Sequence, residues 1–395
     1  MKRVLVYSHD TYGLGNIRRM LTICEHLCDV HQDVSILIVS GSPMLHAFRL
    51  SPRIDYVKLP CLSRTDSGRY EVKSLGLGYA ETVRMRKEML RTAVVGFAPD
   101  LVLVDKKPFG IDDELRPALD AAQAMLPKPR LVLLLRDILD APETTSRIWR
   151  KNNYFDAIEK FFDSVLVLGS QEVFDLPTEY DFSRESAARV EFCGYLGRPS
   201  GEVSVREIRN RHGIARGRQM VLVTPGGGAD GELLLDSYAR ALRLMTPSSD
   251  DSGFVSIVVS GPEVSPGRHG EIRRLVSGRA DVRLLQFTDD MASYIQAADL
   301  VVSMAGYNTI CEVLSANRPS IVVPRVRPVQ EQLVRSQLLA ERGLVHMIHP
   351  DDLTPDAFAE SVAAMLARPP APLQTLDFQG LERVEKHLAG LIGDG

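Results

Sequence analysis

The chain has no apolar run near the roughly 18 residues that a membrane-crossing helix requires, so no bilayer span is expected. Charge of one sign is not in excess either. Acids and bases are interspersed and the formal charge is −4, which leaves no electrostatic footprint for nucleic acid. The opening Met1-Lys-Arg-Val-Leu-Val-Tyr7 is too short and too β-like for a signal peptide, and a cytoplasmic location is expected. The five cysteines form no CxxC pair and suit reduced thiols. Cys24 and Cys28 share a helix face, which reads as packing, and no His or Cys stands at metal-ligand spacing. No repeat or low-complexity segment is present.

What is there is regular. With 395 residues and 45% hydrophobic content, the length favours two domains of ordinary size. Strand-like runs alternate with helix-like runs throughout. The first half offers Val4–Ser8, Val34–Val39, Ile54–Lys58, Leu101–Val104, Leu131–Leu135 and Val165–Leu168 as strands. The second half offers Met220–Thr224, Val255–Val259, Val282–Gln286, Leu300–Ser303, Ile321–Val323 and Leu344–Ile348. Such alternation, with β-branched strand cores, predicts α/β architecture with parallel sheets covered on both faces. Glycine and proline concentrate in Gly194-Tyr-Leu-Gly-Arg-Pro-Ser-Gly201, the expected connection between two Rossmann-like domains. The expected division is 1–195, then 196–375, with a terminal helix over 376–395 bracing the two.

In open parallel sheets, ligands bind beyond the carboxyl ends of the strands. The most informative such place is Asp299-Leu-Val-Val-Ser-Met-Ala-Gly-Tyr-Asn-Thr-Ile-Cys-Glu-Val313. It reads as a buried strand, a small-residue turn through Ala305 and Gly306, and a helix carrying Thr309 and Glu312. A helix N-terminus reached from a parallel strand presents free N–H groups and a positive dipole end, which suits a phosphate. Glu312 can then take two hydrogen bonds from a ribose diol. Gly226-Gly227-Gly228 after an earlier strand allows close approach of a diphosphate, although a plain strand–helix turn would also use glycine.

Other strand ends carry weaker signals. Gln330, Glu331 and Gln332 begin a helix, where they can bind sugar hydroxyls or simply cap it. Gly13-Leu14-Gly15 lacks the third glycine of a dinucleotide fingerprint, since Arg18 stands there. His9 and Asp10, atop the first strand, are the sharpest candidates for proton transfer; Asp105, Asp137 and Asp140 are carboxylates at equivalent strand ends. The helix with Arg84, Arg86, Lys87 and Arg91 reads as a solvated basic face.

In this order, the motifs resemble the two-domain glycosyltransferases of the GT-B fold, family 28 in particular. The specific match is Phe287-Thr-Asp-Asp-Met-Ala-Ser-Tyr-Ile-Gln-Ala-Ala-Asp-Leu-Val-Val-Ser-Met-Ala-Gly306, continuing to Val322-Val-Pro324 and Gln330-Glu-Gln332. A branch of predicted glycosyltransferases is also similar, through Ser8-His-Asp-Thr-Tyr-Gly-Leu-Gly15 and Leu135-Arg-Asp-Ile-Leu-Asp140. The resemblance implies two Rossmann-like domains facing across a cleft, the acceptor on the first and a nucleoside-diphosphate sugar, UDP-linked, on the second.

By the same resemblance, Phe287 and Thr288 would line the base pocket and Glu312 would hold the ribose. Gly227, Gly228, Ala305 and Gly306 would hold the diphosphate, with Arg198 reaching it from the connection; Gly226, Met291 and Thr309 are expected in the same donor-binding set. Gln330, Glu331 and Gln332 would contact the donor sugar or the nearby ribose. Where the family has a histidine after the Gly-x-Gly turn, this chain has Asn16, which positions a hydroxyl but cannot take its proton. His9, Asp10 or Asp137 would then substitute in an inverting transfer that needs no cofactor. Three readings stay open: a transferase acting on an unidentified acceptor, a nucleotide-sugar epimerase or hydrolase, and a non-catalytic sugar-nucleotide binder. A lipid-linked or polysaccharide acceptor at the inner membrane face, met through the irregular segment Leu59–Leu77, is one option for the first.

Overall fold

The computed structural model describes residues 1–9, 15–64, 69–197, 201–227, 231–245, 253–261, 264–368 and 376–393. Asp10, Arg198 and Gly228, expected site residues, therefore lie outside the described residues. The chain divides into two units, Met1–Leu196 with Gln379–Gly395, and Gly197–Phe378.

The first unit begins β1 (Lys2–Ser8), α1 (Gly15–Val30), β2 (Val34–Ser40), β3 (Ile54–Lys58), β4 (Leu62–Arg64), β5 (Tyr70–Val72) and α2 (Tyr79–Phe97). It continues β6 (Leu101–Asp105), α3 (Arg116–Gln123), β7 (Arg130–Arg136), α4 (Pro142–Lys151), α5 (Tyr154–Phe161) and β8 (Ser164–Leu168). Short α6 (Leu176–Glu179) and α7 (Arg184–Ala187) lead to β9 (Val190–Phe192). Seven strands form a parallel sheet in the order β3-β2-β1-β6-β7-β8-β9. Val4, Leu5, Val6 and Tyr7 are all buried, because a central parallel strand is covered on both faces.

The second unit runs α8 (Val205–Arg211), β10 (Gln219–Thr224), α9 (Glu232–Leu244), β11 (Phe254–Val259), α10 (Pro266–Leu275), β12 (Val282–Leu285) and α11 (Met291–Ala297). Then follow β13 (Leu300–Ser303), α12 (Tyr307–Ser315), β14 (Ser320–Val322), α13 (Glu331–Glu341), β15 (His346–Met347) and α14 (Pro355–Ala367). Its six strands are parallel in the order β12-β11-β10-β13-β14-β15. Alternate residues of β10 serve two cores: Val221 and Val223 pack with Leu234, Tyr238 and Phe358, whereas Met220 and Leu222 pack with Ile208, Ile295 and Val313. That two-sided burial is why these strands read as continuous apolar runs rather than alternating ones.

The last helix, α15 (Gly380–Gly393), joins the first unit. Lys2 Nζ donates to the Ile392 carbonyl at 2.6 Å, and the His387 ring lies 2.8 Å from Ser164 Oγ and 2.7 Å from Glu191. Helix α15 starts on a glycine because a Cβ at Gly380 would sit 2.6 Å from the Tyr195 carbonyl oxygen.

Two expectations need correction. The segment Leu59–Leu77 is not wholly irregular: β4 and β5 pair antiparallel within it, with Leu62 and Val72 packing alongside Val83 and Ile111. Nor is the basic side of α2 all solvated. Arg84 and Arg91 are exposed, but Arg86 is buried and donates to both Glu114 oxygens and to the Pro60 carbonyl. Tyr7 Oη donates to the same carboxylate at 2.5 Å. Burial, then the Glu114 charge, hold the Tyr7 hydroxyl well above its ordinary pKa, so it remains a donor. Charge composition alone cannot tell a solvated arginine from one turned inward onto a carboxylate supplied by a distant segment.

Candidate functional site

Each sheet reverses its strand order once near the middle. In the first unit β1 is flanked by β2 and β6; in the second, β10 is flanked by β11 and β13. Chain leaving two such neighbours departs to opposite sides, opening a crevice at the carboxyl ends where ligands bind in folds of this kind. The two reversal points carry most of the residues expected to be functional.

In the second unit, the turns after β10, β11 and β13 converge. Gly226 has φ +85°, a left-handed conformation that side chains rarely adopt, and a Cβ there would sit 3.2 Å from Thr309 Oγ1. Its carbonyl oxygen would lie 2.8 Å from a Cβ on Gly261, and its N–H donates to Thr224 Oγ1 at 3.2 Å. Gly306 differs. Its φ of −62° and ψ of 139° are open to any residue, and a Cβ built on it meets nothing within 4 Å. The fold does not require this glycine. It is the N-cap of α12 and contributes no side-chain cap to the helix. The first-turn amides of that helix therefore receive no hydrogen bond from a cap side chain. Glu312 is half-buried on the second turn of α12.

Helix α13 braces this arrangement. Gln330 is its exposed N-cap, while Glu331 and Gln332 are buried. Gln332 Oε1 accepts the Arg325 N–H at 3.0 Å, and Glu331 stands 3.7 Å from the Arg325 guanidinium. Both side chains thus engage the turn that follows β14. One turn on, fully buried Arg335 donates to the Ala305 carbonyl at 3.0 Å and lies 5.7 Å from the Tyr307 ring centroid. Arg335 had no place among the expected site residues. The available signal was positional: residues 331, 332, 335, 336 and 339 are the buried face of α13, and an arginine on such a face needs a partner.

Phe287 follows β12 and is 59% exposed, an unusual position for a phenylalanine. Thr288 Oγ1 accepts the Asp290 N–H at 3.2 Å, and Asp290 caps α11 by accepting from Ser293 N–H at 3.1 Å. Met291, the first residue of α11, is half-buried. The segment just past the inter-unit connection is pinned to the same cap: Glu202 N–H donates to Asp290 at 3.2 Å and Val203 N–H to Ser293 Oγ at 2.9 Å. Gly227 is exposed and a Cβ on it would meet nothing.

In the first unit, the β1/β6 reversal is filled by the chain's own polar groups. Asn16 Nδ2 donates to the His9 carbonyl at 2.9 Å, and its Oδ1 accepts from Arg19 Nη2 at 3.3 Å. The same Arg19 nitrogen donates to Asp105 Oδ1 at 2.6 Å, with both side chains almost wholly buried. His9 is 4% exposed. Asp137 is buried at the end of β7, and its Oδ1 accepts the Ile138 N–H at 2.7 Å. Gly169, after β8, leaves room for it, since a Cβ there would be 2.6 Å from the Asp137 Cβ. Lys106 adopts a left-handed φ of 71°, turning the chain sharply so that Lys107 Nζ reaches Tyr70 Oη at 3.2 Å. Among the described residues, no three His, Cys, Asp or Glu side chains gather as metal ligands, and no helix is long and apolar enough to cross a membrane.

Residues 264–388 match the glycosyltransferase family 28 C-terminal domain. An uncharacterized glycosyltransferase of Methanopyrus kandleri is 24% identical over 70% of this chain and 73% of its own length. The UDP-N-acetylglucosamine–N-acetylmuramyl-(pentapeptide) pyrophosphoryl-undecaprenol N-acetylglucosamine transferase of Burkholderia thailandensis is 30% identical, over 39% of this chain and 44% of its own length. Among solved structures, MurG of Acinetobacter baumannii superposes with a TM-score of 0.61 at 14% identity, covering 100% of both chains. A putative UDP-N-acetylglucosamine 2-epimerase of Listeria monocytogenes gives 0.66 at 13% identity, covering 100% of this chain and 98% of its own. Residues 264–388 thus carry a glycosyltransferase family 28 C-terminal domain, and the two parallel α/β sheets share the GT-B fold of the solved structures.

Proposed function

We propose that the protein is an inverting glycosyltransferase whose donor, a UDP-linked sugar, binds the second unit, and whose acceptor binds the first. The carrying observation is the pair Gly226 and Gly306 at the β10/β13 reversal. One glycine is required by backbone geometry and a close neighbour, the other by no contact among the described residues, and the helix between Gly306 and Glu312 begins without a side-chain cap. A diphosphate at this helix start would take its hydrogen bonds from first-turn amides and gain from the helix dipole. Glu312 would receive the ribose hydroxyls, exposed Phe287 would stack on the base beside Thr288 and Met291, and Gln330 with Glu331 would meet the sugar. The matching C-terminal domain and the UDP-sugar enzymes among the relatives support this donor class. The donor is a substrate, consumed at each turnover, rather than a resident cofactor.

In the transfer, the acceptor oxygen forms its bond to the anomeric carbon as the bond from that carbon to the diphosphate oxygen breaks. Oriented amides at the helix start stabilise the charge that develops on the departing UDP. The acceptor proton passes to a base, for which His9 is the side chain of suitable ordinary pKa at the first unit's reversal point. Asn16 is not that base: an amide has no proton-accepting nitrogen, and both ends of this one are hydrogen-bonded. The acceptor is a hydroxyl compound, lipid-linked or polysaccharide in this proposal.

A thermal-shift series with UDP, GDP, ADP, dTDP and their sugars tests the donor assignment. Ligand binding to the folded state raises its apparent stability, so UDP compounds should give the largest rise. If no nucleoside diphosphate raises the transition, the reading fails. The epimerase-like neighbour motivates a second reading, hydrolysis or epimerisation of the same donor. Incubating UDP-sugars without acceptor separates the two, because only the second yields a new sugar product under those conditions. Tight UDP binding with no product across a broad acceptor panel would instead indicate a non-catalytic binder.

A further inference from the structure

The geometry points to Arg335 as a positioning residue for the donor diphosphate, acting through the Ala305–Gly306 peptide rather than by touching the ligand. This rests on the donor reading above and adds a residue and a mechanism to it. Arg335 lies on α13, with no exposed surface, and its Nη1 donates to the Ala305 carbonyl at 3.0 Å. The peptide group is planar and trans, so its C=O and the following N–H point in opposite directions. Drawing the Ala305 oxygen toward α13 therefore turns the Gly306 N–H away from α13. Gly306 is also where a Cβ would find open space and where α12 starts uncapped.

Burying a guanidinium is costly unless its charge is compensated. The Ala305 carbonyl and the Tyr307 ring, 5.7 Å from the guanidinium carbon, supply part of that compensation from the two sides of the turn. Both contacts are made to residues flanking Gly306, so the cation is held directly beneath the helix start. A fixed positive charge there adds to the dipole that attracts an anion, and burial keeps it from being screened by solvent. Helix α13 also holds the next turn, through Gln332 and the Arg325 N–H. The helix expected to meet the donor sugar is thereby tied to the turn expected to meet its phosphates.

The test compares ligands that share the nucleoside but differ in phosphate. Wild type, Arg335→Met and Arg335→Lys are titrated with UDP and with uridine, by calorimetry and ligand-observed NMR. In Arg335→Met, UDP affinity should fall by about tenfold or more while uridine affinity stays within about twofold, as for one lost charge-assisted contribution. Arg335→Lys, which keeps the charge but not the planar fork, should lose less of the UDP-to-uridine ratio. If Arg335→Met does not fold, the ratio in Arg335→Lys decides, with a fall supporting the role. An unchanged ratio, with both ligands weakened alike or neither weakened, would make Arg335 a packing residue only. Wild-type protein that binds no UDP would overturn the donor reading and this inference together, whereas UDP binding with an unchanged ratio overturns this inference alone.

Discussion

The two strand-order reversals have the same topology and opposite contents. At β1/β6 the polar side chains of α1 are engaged within the unit: Asn16 holds the His9 carbonyl, and Arg19 bridges Asn16 to Asp105. At β10/β13 the corresponding helix starts on a glycine N-cap, which offers no capping side chain. A parallel strand feeding a helix always leaves amides that want a partner. Here the first helix engages its polar side chains with one another and with a strand end, whereas the second starts on a residue that has no side chain. The location of a crevice thus follows from topology, whereas the groups it offers depend on which residues stand at the first helical turn.

The contrast can be broken most severely in the first unit. Arg19→Met leaves the Asp105 carboxylate buried without its cation, which should cost about 3–5 kcal/mol of stability. Calorimetric unfolding should show that loss, while the UDP affinity of the folded protein, carried by the other unit, stays the same. Next in size is a substitution that gives the second helix start a capping side chain. Gly306→Asp has backbone angles suited to an N-cap, so its carboxylate should satisfy the amides of α12 and leave stability equal or a few tenths of a kcal/mol higher. UDP affinity should fall about a hundredfold, because the added anion occupies and repels the ligand's place. Retained UDP binding in this variant would remove the helix start from the site.

Smaller effects sharpen the comparison. Glu312→Ala should weaken UDP binding by about 1–3 kcal/mol, the range for lost hydrogen bonds to a charged group. Replacing uridine by 2′,3′-dideoxyuridine should abolish the difference between wild type and variant if Glu312 holds the ribose diol. The smallest effect is on pH dependence. Burial first, then neighbouring arginines, lowers the pKa of His212, His269 and His346, all in the second unit. The unfolded chain then takes up protons before the folded one, so this contribution is intact above about pH 6.5 and is lost as pH falls below it. Calorimetry between pH 7.5 and 5 should show that decline, and His269→Asn should flatten its slope (these pH values are about the range that brackets an ordinary histidine).

Much of this molecule was legible beforehand because its strands are apolar on both faces. All six strands expected in the second half are present, the last shortened to His346–Met347. Three short strands were not legible. Strands β4, β5 and β9 have three residues each, too few to display a period, and their pairing depends on a neighbour rather than on their own pattern. Side-chain partnerships were hidden for a related reason. Arg19 and Asp105 stand 86 positions apart, and Arg86 meets Glu114 across 28.

Local sequence by itself determined where parallel strands end in glycine and where helices begin, since backbone preference and hydrophobic period act within a few residues. It therefore identified Gly226, Gly306 and Glu312 as belonging to strand-end turns and the α12 helix. Tertiary structure alone decided that the turns after β10, β11 and β13 meet, that Asn16 is engaged by Arg19, and that Arg335 lies under Ala305. Those facts depend on strand order and on buried charges finding partners far along the chain, and neither leaves a mark within a short window of residues.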